Sequence, residues 1–78
     1  MSVLIKISDM RAASKPGYVA KIVNGEKNFL STKDRSGYSK SRETLIFELT
    51  EDGVYEVCDA NFGGRKRNIY FISATLNP

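Results

Sequence analysis

Residues 18–31, with the sequence Tyr-Val-Ala-Lys-Ile-Val-Asn-Gly-Glu-Lys-Asn-Phe-Leu-Ser, decide the fold class of this chain. Two runs of strand-forming residues flank the pair Asn24-Gly25. Both residues of that pair tolerate the positive φ angles that a two-residue type I′ turn requires. The stretch therefore predicts a β-hairpin with strands at residues 18–23 and 26–31.

Four further segments have the composition of strands: residues 3–7, 43–50, 54–58 and 69–76. The second of these alternates, with Leu45, Phe47 and Leu49 on one face, and a period of two is typical of a half-buried strand. By the same argument we assign Phe47 and Phe71 to the hydrophobic core. A tight turn at 51–53 joins two of these strands.

The segments between the strands are polar or contain glycine. Residues 8–14 are compatible with one helical turn that has Ser8 as its N-cap. Residues 32–42 and 59–68 are predicted to be long loops. About six strands with frequent turns predict an all-β, mainly antiparallel fold, namely a small OB-like or SH3-like barrel with at most one helical turn. We expect residues 1–78 to form a single small β domain.

Chain length and cysteine content limit the setting. A chain of 78 residues buries a thin core, so a homodimer is a plausible source of extra stability. The one cysteine, Cys58, cannot form an internal disulfide, and we interpret it as a small buried apolar residue. No apolar run approaches the ~20 residues of a membrane span. These features predict a reduced, cytoplasmic protein with no membrane partner.

Charge is segregated along the chain. Residues 1–42 carry nine basic and three acidic side chains, a net charge of +6. Residues 43–59 carry six acidic side chains and no basic ones, and residues 60–78 carry three basic ones only. The net charge of +3 conceals this pattern. Basic loops on a small β-rich domain favour a polyanion, most often nucleic acid, as the partner.

The chain contains no signature of catalysis. It has no histidine, which removes the usual general base and the commonest metal ligand. The phosphate-binding Gly-Lys-Ser/Thr motif is also missing from the sequence. We therefore expect no catalytic residues, no metal and no cofactor, and we do not expect an enzyme.

Cations and aromatic rings occur together in the two predicted loops, where rings can stack on bases and cations can contact phosphates. Phe62 either stacks on a base or packs into the core. The alternative for both loops is a solvated segment without a ligand. The candidate residues for nucleic-acid binding are Lys33, Arg35, Tyr38, Lys40, Arg42, Phe62, Arg65, Lys66, Arg67 and Tyr70.

The acidic residues 43–59 support a different function. Glu48, Glu56 and Asp59 are expected to face solvent, where they form either an ordinary acidic strand face or a surface that docks on a basic protein. The second interpretation predicts a small phage-type protein that binds and inhibits a host nuclease, polymerase or defence complex.

Three segments resemble the single-stranded DNA-binding proteins of filamentous phages. They are Gly53-Val54-Tyr55-Glu56-Val57, the loop through Phe62-Gly63, and the closing pattern of Ile69, Ile72, Leu76 and Pro78. The segment Arg35-Ser36-Gly37-Tyr38-Ser39-Lys40 is similar to the DNA-binding wing of that family. The resemblance implies an OB-like, usually dimeric β-barrel that coats single strands through basic and aromatic side chains. A single-stranded nucleic acid is accordingly the favoured partner.

Overall fold

Seven β-strands form the structure, a computed structural model that describes residues 2–9, 17–39, 42–60 and 67–76. The strands are β1 (Val3–Asp9), β2 (Tyr18–Val23), β3 (Glu26–Phe29), β4 (Asp34–Ser39), β5 (Arg42–Leu49), β6 (Gly53–Ala60) and β7 (Arg67–Ala74). All pairings between neighbouring strands are antiparallel. The prediction of an all-β, mainly antiparallel fold is confirmed.

The strands are divided between two sheets. One sheet has three strands in the order β1-β5-β4, and the other has four in the order β3-β2-β6-β7. Among the described strands neither sheet closes into a barrel, and the two sheets pack face to face. The described residues form seven strands where the sequence predicted about six, and the additional strand is β4.

The predicted hairpin is confirmed in its turn and its register. Asn24 and Gly25 have φ angles of 52° and 79°, the left-handed conformation that a type I′ turn needs at both central positions. Val23 pairs with Glu26 directly across the turn, and Ala20 pairs with Phe29 further along. The turn therefore fixes which side chains of β2 and β3 share a face.

The segment predicted as a loop at 32–42 forms most of a second hairpin. Asp34 pairs with Ile46 and Ser36 with Thr44, and an irregularity in the register follows between Ser36 and Ser39. The described side chains of β4 are exposed, so this edge strand needs no apolar residues and leaves no period of two in the sequence. That is the physical reason why the loop prediction was wrong here.

Other strands are also longer in the structure than the sequence predicted. Ser8 lies in β1 and pairs with Thr44, so it is not a helix N-cap, while residues 10–14 lie outside the described residues. The predicted loop at 59–68 loses residues at both ends, because Asp59 pairs with Asn68 in the β6–β7 ladder. Long strands thus continue into segments whose polar composition had suggested loops.

The core lies between the two sheets. The four-stranded sheet contributes Val19, Tyr55 and Val57, and the three-stranded sheet contributes Ile7, Leu45, Phe47 and Leu49. Phe47 is a core residue as predicted. Phe71 is 62% exposed, so its assignment to the core was wrong. Its pairing partner is Glu56, whose side chain points away from the other sheet, and Phe71 therefore points away as well.

Candidate nucleic-acid interface

The surface of interest is the side of the four-stranded sheet that faces away from the core, here called the outer face. Paired residues on neighbouring antiparallel strands point to the same side of a sheet. The register therefore places Phe29, Ala20, Glu56 and Phe71 in one row across all four strands of the outer face. Val19, paired with Val57, points to the core side.

Large apolar side chains are exposed on the outer face. Phe29 is 63% exposed and Phe71 is 62% exposed, at opposite ends of the same row. Ile69 and Val54, on neighbouring rows, are also exposed. Several large exposed apolar side chains on one face are typical of interaction sites. With strands about 4.8 Å apart, the two phenylalanines are separated by about 14 Å at the backbone.

Tyr18 lies at the centre of a cluster of aromatic and basic side chains on this face. Its ring meets the ring of Phe29 edge to face, with centroids 5.1 Å apart. Lys27 Nζ lies 5.8 Å from the Tyr18 centroid, and Arg67 Cζ lies 5.5 Å from it. Both cations are within cation–π range of the ring. Strands β3 and β7 thus bring their cations to a residue of β2.

Glu56 supplies the negative charge within this cluster. Its carboxylate accepts hydrogen bonds from the Tyr18 hydroxyl and forms an ion pair with Lys27, with Nζ and Oε2 2.9 Å apart. The Tyr18 hydroxyl, followed by Lys27, lowers the pKa of Glu56 below its usual range. The same contacts raise the pKa of Tyr18 and of Lys27. Glu56 is therefore a charged, buried residue whose partners hold the cluster together.

Arg67 is a second basic side chain on the outer face, in addition to Lys27. Glu56 is the acidic side chain on the same face of the four strands, and it is paired with Lys27. Arg67 donates from Nε to the buried Cys58 Sγ at 3.1 Å. A guanidinium group can bind a phosphate through charge-assisted hydrogen bonds.

The candidate residues from the sequence are distributed over different surfaces. Arg67 lies on the outer face, whereas Tyr70, although 45% exposed, pairs with Val57 and lies on the core side of β7. Arg35 lies in β4 of the three-stranded sheet, and Lys33 immediately precedes that strand. Lys33 forms an ion pair with Glu48, and Arg35 forms one with Glu43. The structure does not bring Lys33 and Arg35 together with Arg67 on the outer face.

Several candidates stay predictions from sequence. Lys40, Phe62, Arg65 and Lys66 lie outside the described residues. Tyr38 and Arg42 are described as strand residues of β4 and β5, but only through their backbone. The convergence of the two basic segments is therefore untested.

The three acidic candidates do not share a surface. Glu56 is buried, so the expectation that it faces solvent was wrong. Glu48 is paired with Lys33 on the three-stranded sheet. Asp59 accepts a hydrogen bond from the backbone nitrogen of Ser8 at 3.1 Å, which ties β6 to β1. These contacts give each carboxylate a partner within the domain.

Sequence reasoning missed Lys27, Phe29 and Phe71 as surface residues of one site. A signal for the first two was available: a two-residue turn at 24–25 places residue 27 opposite residue 22 and residue 29 opposite residue 20. Phe71 could not be assigned in this way, because its side of the sheet depends on long-range pairing with β6.

Other kinds of site are not found in the described part of the chain. No pocket opens there. Within the same ranges, no group of three or more His, Cys, Asp or Glu side chains could hold a metal ion. None of the described residues forms a helix with the length and hydropathy that a membrane crossing requires.

Comparison of the chain with protein families, with curated proteins and with solved structures found no match. The resemblance to filamentous-phage single-stranded DNA-binding proteins therefore stays a prediction.

Proposed function

We propose that this protein binds single-stranded nucleic acid across the outer face of its four-stranded sheet. The observation that carries the proposal is the pair of exposed rings, Phe29 and Phe71, on one face with the cations Lys27 and Arg67. Aromatic side chains stack on bases without reading their sequence, and cations beside them attract the phosphate backbone. The resulting binding would tolerate many sequences.

An unpaired strand fits this face better than a duplex does. Stacking on a flat sheet needs the face of a base, and duplex bases are already stacked on one another. The described outer face has no projecting helix or ribbon of the kind that enters a major groove. A strand lying across the row from Phe29 to Phe71 would place two bases on the exposed rings, and the intervening nucleotides would span the buried Ala20 and Glu56 without depending on contact with them.

The phosphate contacts would lie at the β7 end of the face. Arg67 is held there by Cys58 and Tyr18. Arg65 and Lys66 directly precede Arg67 in the chain, and we include them as phosphate contacts on the basis of the sequence alone. No reaction is part of this proposal, and no cofactor or metal is required by it.

Docking of a basic host protein on the acidic residues receives less support. The carboxylates of Glu48 and Glu56 are occupied by lysines of the same domain, and that of Asp59 by a backbone nitrogen. A partner protein would have to displace these contacts. An exposed apolar face could also receive a protein, and that outcome is distinguished by the following test.

The test is a salt titration of binding to a fluorescently labelled single-stranded oligonucleotide, read by anisotropy. We expect log affinity to fall linearly with log salt, with a slope of about −0.7 for each phosphate contacted. Arg67→Ala should reduce the slope by about one contact. Arg35→Ala is the matched control, because the guanidinium of Arg35 belongs to an ion pair on the other sheet.

Two results would overturn the proposal. One is the lack of measurable binding to DNA and RNA single strands at low salt. The other is an equal loss for Arg67→Ala and Arg35→Ala, which would locate the contacts away from the outer face. Tighter binding to duplex than to single strands would overturn the choice of an unpaired strand.

A further inference from the structure

The edge formed by β7 is different in character from the other sheet edges. Within the described residues, the two sheets end in β1, β4, β3 and β7. The first three each contain charged residues, which are known to discourage edge-to-edge pairing. From residue 68 to residue 74, β7 has no charge and no proline, and β3 has only four residues where β7 has eight.

Exposed apolar side chains are concentrated at this edge. Ile69, Tyr70 and Phe71 are consecutive and all are exposed, at 53%, 45% and 62%. Because alternate residues point to opposite sides of a strand, both sides of the edge are apolar. Among the described residues no strand lies beside this edge of β7. An edge strand with these properties is a template for pairing with another strand, since every second backbone N–H and C=O points away from the sheet.

We propose that β7 pairs with β7 of a second copy of this chain, antiparallel and around a two-fold axis. The resulting dimer has one continuous eight-stranded sheet. The proposal concerns the edge of the sheet and is independent of nucleic-acid binding. A second copy is favoured as the occupant because the uncharged segment 68–74 can approach an identical segment without repulsion.

Charge selects the antiparallel arrangement. Arg67 begins β7, and in an antiparallel pair the two copies of this residue lie at opposite ends of the new ladder. A parallel pair would bring both copies of Arg67 to the same end of the ladder, and like charges close together on neighbouring strands are destabilising. In a register centred on Tyr70, Ile69 lies opposite the partner's Phe71, a pairing of a β-branched residue with an aromatic one that is favourable across strands.

The symmetry has a geometric consequence. A two-fold axis between antiparallel edge strands stands perpendicular to the sheet, so it keeps the outer faces of both copies on the same side. The two copies of Phe71 then lie close to the axis, and the two copies of Phe29 lie at the far edges. The dimer would present one apolar and aromatic surface about twice as wide as that of a single copy.

The oligomeric state is measured by sedimentation velocity over a range of concentrations, without nucleic acid. We expect a concentration-dependent dimer. Tyr70→Lys should shift it to monomer, because it places two like charges near the axis on the core side of the sheet and leaves the outer face intact. Tyr70→Phe is the matched control and should remain dimeric. A wild-type chain that stays monomeric at all soluble concentrations, or a dimer that Tyr70→Lys leaves unchanged, would overturn the proposal.

A second measurement tests the β7 interface if the Tyr70→Lys variant does not fold. Cys58 is first replaced by alanine, because it lies opposite position 69 and could form an intrachain disulfide there. Single cysteines are then placed at positions 69, 70 and 71 in turn, and the chains are oxidised. A disulfide forms only where two Cα atoms come within about 7 Å, so the position that cross-links fastest marks the two-fold axis. Asn28→Cys, on the opposite edge of the same sheet, is the control that should remain uncross-linked. Cross-linking at none of the three β7 positions, or equally at position 28, would contradict the β7 interface.

Discussion

Phe29 and Phe71 face the same side of the four-stranded sheet although they belong to its two opposite edge strands. They are connected through Ala20 and Glu56 in a single row of pairing partners. Ala20 and Glu56 are buried, so the two rings are the exposed ends of this row. This relationship makes the outer face a platform with an aromatic ring at each end.

Phe29→Ala should weaken binding to a single-stranded oligonucleotide by about 1 to 3 kcal/mol, since that is the usual contribution of one stacked base. The measurement is anisotropy at constant salt. Leu4→Ala is the control, because Leu4 is an exposed apolar residue of the other sheet and its truncation should leave affinity unchanged. An equal loss in both variants would indicate a general effect of apolar surface and would count against the platform.

Phe47→Ala and Phe71→Ala should differ sharply in stability. Phe47 is buried in the core, and truncation there should lower the free energy of unfolding by about 3 to 5 kcal/mol. Phe71 is exposed in the single copy, so at concentrations low enough for the chain to be monomeric its truncation should change that free energy by about 0.5 kcal/mol or less. Urea denaturation of both variants checks this contrast. Similar losses in the two variants would mean that Phe71 packs in the core after all.

The sequence predicted those elements whose signal is local. The Asn24-Gly25 turn and the alternation of Leu45, Phe47 and Leu49 each specify a structure within a few residues, and both are found. The strand β4 lacked such a signal, because an exposed edge strand can be polar on both sides. Its polar residues are held in the sheet through backbone bonds to β5, which local composition does not reveal.

The candidate site was harder to predict than the fold, since it depends on pairings between distant segments. Tyr18 and Glu56 are 38 positions apart, and their contact follows from the β2–β6 register. The same kind of pairing explains the segregated charges: Lys21, Lys27, Lys33 and Arg35 form ion pairs with Glu51, Glu56, Glu48 and Glu43. Charges separated along the chain are neighbours in space, so sequence segregation alone did not define a surface.

Gly53→Ala should destabilise the domain mainly through its backbone. Gly53 has a φ of 154°, a conformation that residues with a Cβ rarely adopt, and such strain amounts to about 1 to 3 kcal/mol. A Cβ there would also lie 2.9 Å from Lys21 Cε, the far end of a flexible side chain that can move aside. The change in unfolding free energy should therefore be similar in a Lys21→Ala background. A loss that disappears in that background would assign the effect to the clash instead.

The free energy of unfolding should decrease in acid as Glu56 becomes protonated. Its pKa in the folded protein is lowered from 4.5, first by the Tyr18 hydroxyl and then by Lys27. The folded state therefore favours the charged carboxylate, and this contribution is complete above the unfolded pKa. It is lost as the pH falls below 4.5 and through the lower folded pKa. Glu56→Gln should flatten that part of the curve of unfolding free energy against pH.

Glu48 provides an independent comparison on the other sheet. Its pKa is also lowered, first by a hydrogen bond from Ser2 and then by Lys33, so Glu48→Gln should flatten the same acid range. The two effects should add in the double variant because the carboxylates share no partner.

At high pH the sign reverses: the pKa values of Tyr18 and Lys27 are raised, so their contribution to stability is lost as the pH rises through those values. An acid range that Glu56→Gln leaves unchanged would mean that the Tyr18–Glu56–Lys27 contacts do not form in solution.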